Sequence, residues 1–591
     1  MTTTHTFHIP VMGIGYTIDS PIKVAHYGIS SVISLVDDIL IEKMRAHHSR
    51  KHRKPFKPIT DKFEDFRAKR ISAYLNLVDD IVREKFEGLK QSGLEHDSDL
   101  RKYLDMVPEQ STIKEKFREI KDTYNTDKAW DWLKEHIAPG KIDVNIMTKL
   151  DKTNYKGREK LPPQYADAHA ALRGFAQSKL ESSIVFSAGM NPRLYGYMEN
   201  FEDFFPDESG HIKKKITLKV SDYRSALIQG KFLAKKGLWV SEFRIESGLN
   251  CGGHAFATDG HLMGPILEEF RGNRAALKGQ LFKYWRTALE KNGYPVPDTP
   301  PAIHITTQGG VGTAQEHQFL QDQYGVDSVG WGTPFLLVPE AVNIDSQTKQ
   351  LLQRAGEEDL YLSGISPLGV PFNSVRDNTK DIEKQEWIEQ GRPGSPCPKK
   401  YVVMSTEFTE KPICRASRQY QHLKLQELDE QDVGPAEYKK AYEDIVEKAC
   451  ICVGLGTSAL LVNDLDTRIE GEAVSICPGP NMAYFSDEVS LETMVHHIYG
   501  RENLVQRKTR PHMFIKELSL YVDYLKEQIQ QYSRPLENKH RQYFENFRDN
   551  LLAGINYYQK LFSRADNLLQ SLNTFQEELE SLSLEKLAIA G

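Results

Sequence analysis

Residues 248–256, GLNCGGHAF, set a histidine behind two glycines soon after the apolar run LWVSEFRI at 238–245. An imidazole exchanges protons near neutral pH, and glycines ahead of it let backbone and ring approach a flat partner closely. His254 is thus the candidate acid or base, with Gly252 and Gly253 beside a planar cofactor. A histidine hydrogen-bonded within its own loop is the plainer alternative. Two further glycine loops also follow apolar runs, GGVGT at 309–313 and GWGT at 330–333. Glycine amides at a helix start hold a phosphate well, and the helix dipole favours the anion. These two loops are the expected phosphate site; two such loops in succession say more than either turn alone.

Five of the six cysteines, Cys397, Cys414, Cys450, Cys452 and Cys477, fall within about eighty residues. Thiolates gathered from separate loops can ligate an iron–sulfur cluster. Their spacing fits no compact pattern such as two CxxC pairs, so zinc and ordinary buried thiols stay open as readings. The sixth, Cys251, reads either as a redox-active thiol or as a small buried filler.

Positioning these loops requires a scaffold of strands. Apolar runs occur at 9–14, 29–36, 142–146, 183–188, 216–220, 238–245, 302–306 and 328–331, with helical patterns between most of them, notably at 223–236, 262–292 and 314–324. Eight strands alternating with helices predict a (β/α)8 TIM barrel, which carries its chemistry on the loops after its strands. Residues 1–378 form that unit, interrupted by a charged helical insertion at about 38–136. Residues 379–510 form a cysteine-containing extension. Beyond 511 the spacing predicts long amphipathic helices at 515–531, 535–563 and 565–587, either a hairpin or a homo-oligomer surface.

The motifs, taken in order, resemble the nitronate monooxygenase (2-nitropropane dioxygenase)-like family of FMN-dependent TIM barrels, which includes flavin enoyl-ACP reductases. The resemblance runs through IPVMGIG (9–15), IDVNIM (142–147), GLNCGGHAF, GGVGT and GWGTPFLLVPE (330–340). It implies an FMN-dependent oxidoreductase with His254 catalytic, the FMN phosphate on Gly309, Gly310, Gly332 and Thr333, Met12 and Gly13 beside the isoalloxazine ring, and Asn145 and Lys219 touching the flavin. A lysine there would stabilise the reduced ring, although Lys219 also reads as a snorkelling rim residue and Asn145 as a turn residue. Asn250 and Cys251 depart from the acidic residue and alanine usual before Gly-Gly-His, which leaves the substrate open: a nitronate, an enoyl thioester on an acyl carrier, or another small molecule. A barrel recruited as a non-catalytic scaffold is the reading from a different class.

Arg193, after the fourth strand, either binds an anionic substrate or caps its own turn. The patch RAHHSRKHRKPFK at 45–57 suits a phosphate-bearing partner or is a solvated helix face. With 76 basic and 82 acidic side chains in 591 residues, no global field argues for nucleic acid. No membrane-length apolar run and no leader pattern is visible, so a cytoplasmic protein without membrane partners is expected.

Overall fold

The computed structural model of the chain describes residues 4–93, 95, 98–187, 189–506, 509–530 and 538–582. Eight parallel strands close a barrel: β1 (Phe7–Ile9), β2 (Ser30–Ser34), β3 (Ile142–Ile146), β4 (Ser182–Phe186), β5 (Lys214–Val220), β6 (Val240–Glu246), β7 (His304–Gln308) and β8 (Ser328–Gly330). Neighbours pair in chain order, and β8 returns to β1 through Phe7 with Val329 and His8 with Gly330. The molecule is thus a (β/α)8 barrel with a helical C-terminal region. The first four strands are short and almost wholly buried, β3 and β4 along their whole length.

The first strand lies earlier than the apolar run at 9–14. Pro10 has no N–H to give to the ladder, so IPVMGI leaves the sheet after Ile9 and becomes the loop over the barrel mouth. The helices expected at 223–236, 262–292 and 314–324 occur as Tyr223–Ala234, Met263–Asn292 and Ala314–Tyr324. The insertion between β2 and β3 folds as five helices, of which Phe66–Gln91 buries Ile71, Leu75, Val78 and Val82 at helical spacing. Within the basic patch, Arg45 turns back to Glu42 at 2.7 Å and His48 reaches buried Asp19 at 3.1 Å, while Arg50, Lys51 and Arg53 face solvent.

After the barrel, β9 (Leu360–Ser363) and β10 (Phe372–Val375) form an antiparallel pair that bridges to His254 through Phe372. The cysteine-containing extension packs into the barrel loops. Leu455 C=O accepts the Gly15 N–H at 2.8 Å, the Tyr16 hydroxyl donates to Ser475 C=O at 2.7 Å, and Lys399 pairs with buried Asp37 at 2.5 Å. Helix Ile451–Val462 is apolar on every side because nearly every residue in it is buried. No single described helix is long and apolar enough to cross a membrane.

The chain ends in helices Met513–Gln530, Asn538–Leu561 and Asp566–Ser581. Positions 188, 531, 535–537 and 583–587 of the expected elements lie outside the described residues. The apolar stripe of these helices packs within the chain: Phe514 stacks on Tyr558 at 5.0 Å, the Tyr558 hydroxyl accepts the Gly264 N–H at 3.1 Å, and the Asn550 amide donates to Asp259 C=O at 2.8 Å.

Candidate functional site

The loops after the strands, together with residues 476–481 of the extension, enclose two adjoining solvent-open compartments of about 790 Å³ and 1330 Å³. They share Val11, Gly13, Lys219, Glu246, Cys251, Gly252, Gly253 and Cys477 as a common wall. The smaller is lined by Met12, Gly309, Gly310, Gly332 and Thr333, the larger by Asn145 and His254. Residues spread over more than three hundred positions thus converge on one cavity, as the barrel topology requires.

At the glycine end, Gly310 has φ +77° and an added Cβ would lie 2.0 Å from Asn250 Nδ2, so only glycine fits this approach. The extension closes over it. Gly253 N–H donates to Cys477 C=O at 3.2 Å, Gly479 N–H donates to the Thr333 hydroxyl at 3.0 Å, and the Asn481 amide donates to Val311 C=O at 2.7 Å. The helix start behind GGVGT is already occupied: Gly312 N–H donates to the Glu316 carboxylate at 2.9 Å, and Arg510 pairs with that carboxylate at 2.8 Å while donating to Gly310 C=O at 2.7 Å. An anion is therefore left to the cavity-lining Gly309, Gly310, Gly332 and Thr333 rather than to the helix end.

Toward the larger compartment, Lys219 Nζ lies 3.0 Å from Glu246 Oε1, which also accepts from the Gln308 amide at 2.5 Å. The ends of β5, β6 and β7 are tied by this network. Two amide oxygens on cavity-lining residues, Asn145 Oδ1 and Asn250 Oδ1, have no hydrogen-bond partner within the protein. Unpaired buried acceptors are costly, and ligand donors at this wall, such as the one ring N–H of oxidised FMN or its ribityl hydroxyls, would relieve that cost. The residues present fit an FMN.

His254 is held by two contacts, Nε2 to the Ser366 hydroxyl at 2.7 Å and its ring edge-on to Phe372 at 4.9 Å. Burial, followed by the charges of Lys149 and Lys219, pushes its pKa down to about 4, so the ring is neutral at physiological pH. Cys251 donates its thiol to Gln308 C=O at 3.5 Å, and burial raises its pKa, with Glu246 adding to the shift; it is a packed thiol, not a thiolate. Behind this loop sits Glu517 from the C-terminal helices. Its carboxylate accepts from the Ser247 hydroxyl at 2.6 Å and from Met263 N–H at 3.0 Å, and burial lifts its pKa to about 7.

Arg193 is not part of the cavity wall; it is half exposed and pairs with Asp151 at 2.7 Å. Of the five cysteines, Cys450 and Cys452 bring their sulfurs to 3.7 Å and Cys397 lies near Cys414, whereas Cys477 lies on the wall shared by the two compartments. No group of three or more His, Cys, Asp and Glu among the described residues is arranged to hold a single metal ion. Sequence reasoning passed over Glu246, Gln308, Ser366, Arg510 and Glu517. The first two end apolar strands as Lys219 does and were legible on the same ground; the other three come from segments whose proximity only folding reveals.

No protein-family model matches the chain. No curated protein matches it. Among solved structures it is similar to the enoyl reductase domain of MlnA from the macrolactin biosynthesis cluster of Bacillus amyloliquefaciens, at 13% identity over 72% of this chain and 89% of that one, with a TM-score of 0.31. It is also similar to a FabK mutant from Thermotoga maritima, at 11% identity over 67% and 82% of the two chains with a TM-score of 0.29. A nitroalkane oxidase from Streptomyces ansochromogenes aligns at 11% identity over 65% and 86%, with a TM-score of 0.29.

Proposed function

We propose that this chain is an FMN-dependent oxidoreductase of the nitronate monooxygenase-like type. One observation carries the reading: the glycine-lined end and the His254 end belong to one connected cavity, along which the amide oxygens of Asn145 and Asn250 lack partners. Gly309, Gly310, Gly332 and Thr333 would hold the phosphate, and Met12, Gly13, Asn145, Gln308 and Lys219 the ring. FMN, when bound, would supply hydride or single-electron transfer.

The chain's own residues do the rest. Lys219, fixed by Glu246, presents a positive charge to the cavity. His254 is uncharged and ready to take up a substrate proton, with Ser366 orienting the ring. Val36, Met147, Leu150, Leu368, Ile451 and Leu455 give the larger compartment an apolar wall that receives an apolar substrate.

That apolar wall also favours a second reading, an enoyl-thioester reductase whose acyl chain lies along it. The first test is the absorption spectrum of the purified full chain together with titration of the apoprotein with FMN. Flavin bands or saturable uptake are expected; a colourless protein that takes up no FMN overturns the flavin reading and favours a scaffold. For a flavin-loaded chain, oxygen-dependent turnover of a nitronate without nicotinamide supports the first reading. NAD(P)H oxidation dependent on an enoyl thioester supports the second.

A further inference from the structure

Four cysteines, drawn from three separate stretches of the extension, gather beside the larger compartment. Parallel bridging of Ser395 with Ser417, with Ser395 N–H donating to Ala416 C=O at 2.9 Å, lays the loop of Cys397 beside the loop of Cys414. The two side chains are near neighbours. Cys450 and Cys452, at the start of helix Ile451–Val462, place their sulfurs 3.7 Å apart, and the Ser395 side chain also reaches Cys450. Cys450 lies close enough to both Cys397 and Cys414 to interact with them electrically, as Cys452 does in turn. All four are buried.

The backbone around them is shaped for sulfur acceptors. Amide N–H groups of Lys400, Ala416 and Val453 point at the sulfurs of Cys397, Cys414 and Cys450, two or three residues back in each case. Cys397 and Lys400 both take left-handed backbone conformations, with φ +52° and +56°, which wraps that loop around its sulfur. Neutral thiols gain little from such amides; thiolates gain a charge-assisted hydrogen bond from each. Lys380 and Lys400 add positive charge beside Cys450 and Cys397.

We propose that Cys397, Cys414, Cys450 and Cys452 bind an iron–sulfur cluster, and that Cys477 is not one of its ligands. A single tetrahedral ion with metal–sulfur bonds near 2.3 Å holds its thiolates roughly 3.8 Å apart. Cys450 and Cys452 meet that spacing, but no third group joins them on one ion. A cluster of two or four irons spreads four thiolates over several metal atoms, so two separate pairs suit it better than they suit zinc. Cys452 also lines the larger compartment beside Ile451, which sets the cluster against the substrate cavity. The proposal stands on the four thiols and does not require the flavin reading.

The test is metal analysis of the full chain, purified without oxygen and, in parallel, reconstituted with ferrous iron and sulfide. FMN is quantified separately. Iron and acid-labile sulfide in equal amounts, two or four of each per chain, are expected, with a paramagnetic signal after reduction by dithionite. Cys414→Ser and Cys450→Ser should each lose most of the iron and sulfide, whereas Cys477→Ser keeps both. Iron and sulfide in a chain without FMN would uphold the cluster while the flavin reading fails. A chain replete with FMN but free of iron and sulfide, or carrying stoichiometric zinc instead, overturns the cluster. Since wild-type stoichiometry decides the matter, a serine variant that misfolds, as seen by circular dichroism, does not obscure it.

Discussion

At the scale of single residues, the proposed function gives proton handling and phosphate holding to different residues. His254 touches the larger compartment and a serine hydroxyl, and nothing about it is needed to hold a phosphate. His254→Gln should therefore lower kcat/KM by about 100-fold or more while FMN content stays at one per chain. Because its pKa lies near 4, the wild-type profile of kcat/KM should show no step near pH 6.5, the ordinary histidine value. A step near pH 6.5 that is absent from His254→Gln would show that the ring is not held at a lowered pKa. Gly310→Val is expected to do the opposite. Its side chain would collide with Asn250 at a backbone conformation that valine rarely adopts, so FMN should be lost on gel filtration while the barrel's circular dichroism persists.

At the scale of elements, two contacts tie the site to segments remote in sequence. Gly15 passes so close to helix Ile451–Val462 that an added Cβ would lie 2.8 Å from Gly456 C=O. Gly15→Ala should destabilise the chain by about 1–3 kcal/mol, read as a lower Tm, and weaken FMN binding because Met12 and Gly13 share that loop. The second contact is Glu517, which anchors the histidine loop to the C-terminal helices. Its pKa rises to about 7 from an ordinary 4.5, so the folded chain keeps a proton that the unfolded chain releases. The stability it lends is complete below about pH 4.5 and is lost as pH rises through 7. Glu517→Gln imitates the protonated form. Relative to that variant the wild type should lose up to about 3 kcal/mol between pH 4.5 and pH 8, measured by denaturant titration at each pH. A difference that does not change with pH would contradict the assignment.

At the scale of the whole molecule, barrel, extension and terminal helices share buried polar contacts: Lys399 with Asp37, Arg510 with Glu316, and Glu517 with Ser247. Breaking any one leaves a buried charge or hydroxyl unpaired, so the three parts should unfold together. Thermal denaturation followed by far-ultraviolet circular dichroism and by release of flavin fluorescence is expected to give one coincident transition. Two separated transitions would show that the extension is an independent unit.

The barrel was legible because its strands are short, largely buried segments with apolar residues at their centres, and because helix starts and glycine turns punctuate them. The glycine loops and His254 were legible for the same local reason, since each directly follows a strand. The start of β1 was misplaced because apolar residues line a cavity loop as readily as a sheet, and only Pro10 marked the difference. Arg193 fell outside the wall because charge in a loop says nothing about direction. The cysteines show the boundary most clearly. Their number and residue types were in the sequence, but Cys477 looked no different from the other four. What separated it was the folding of three distant loops, since proximity between residues fifty apart is set by packing and by no local pattern.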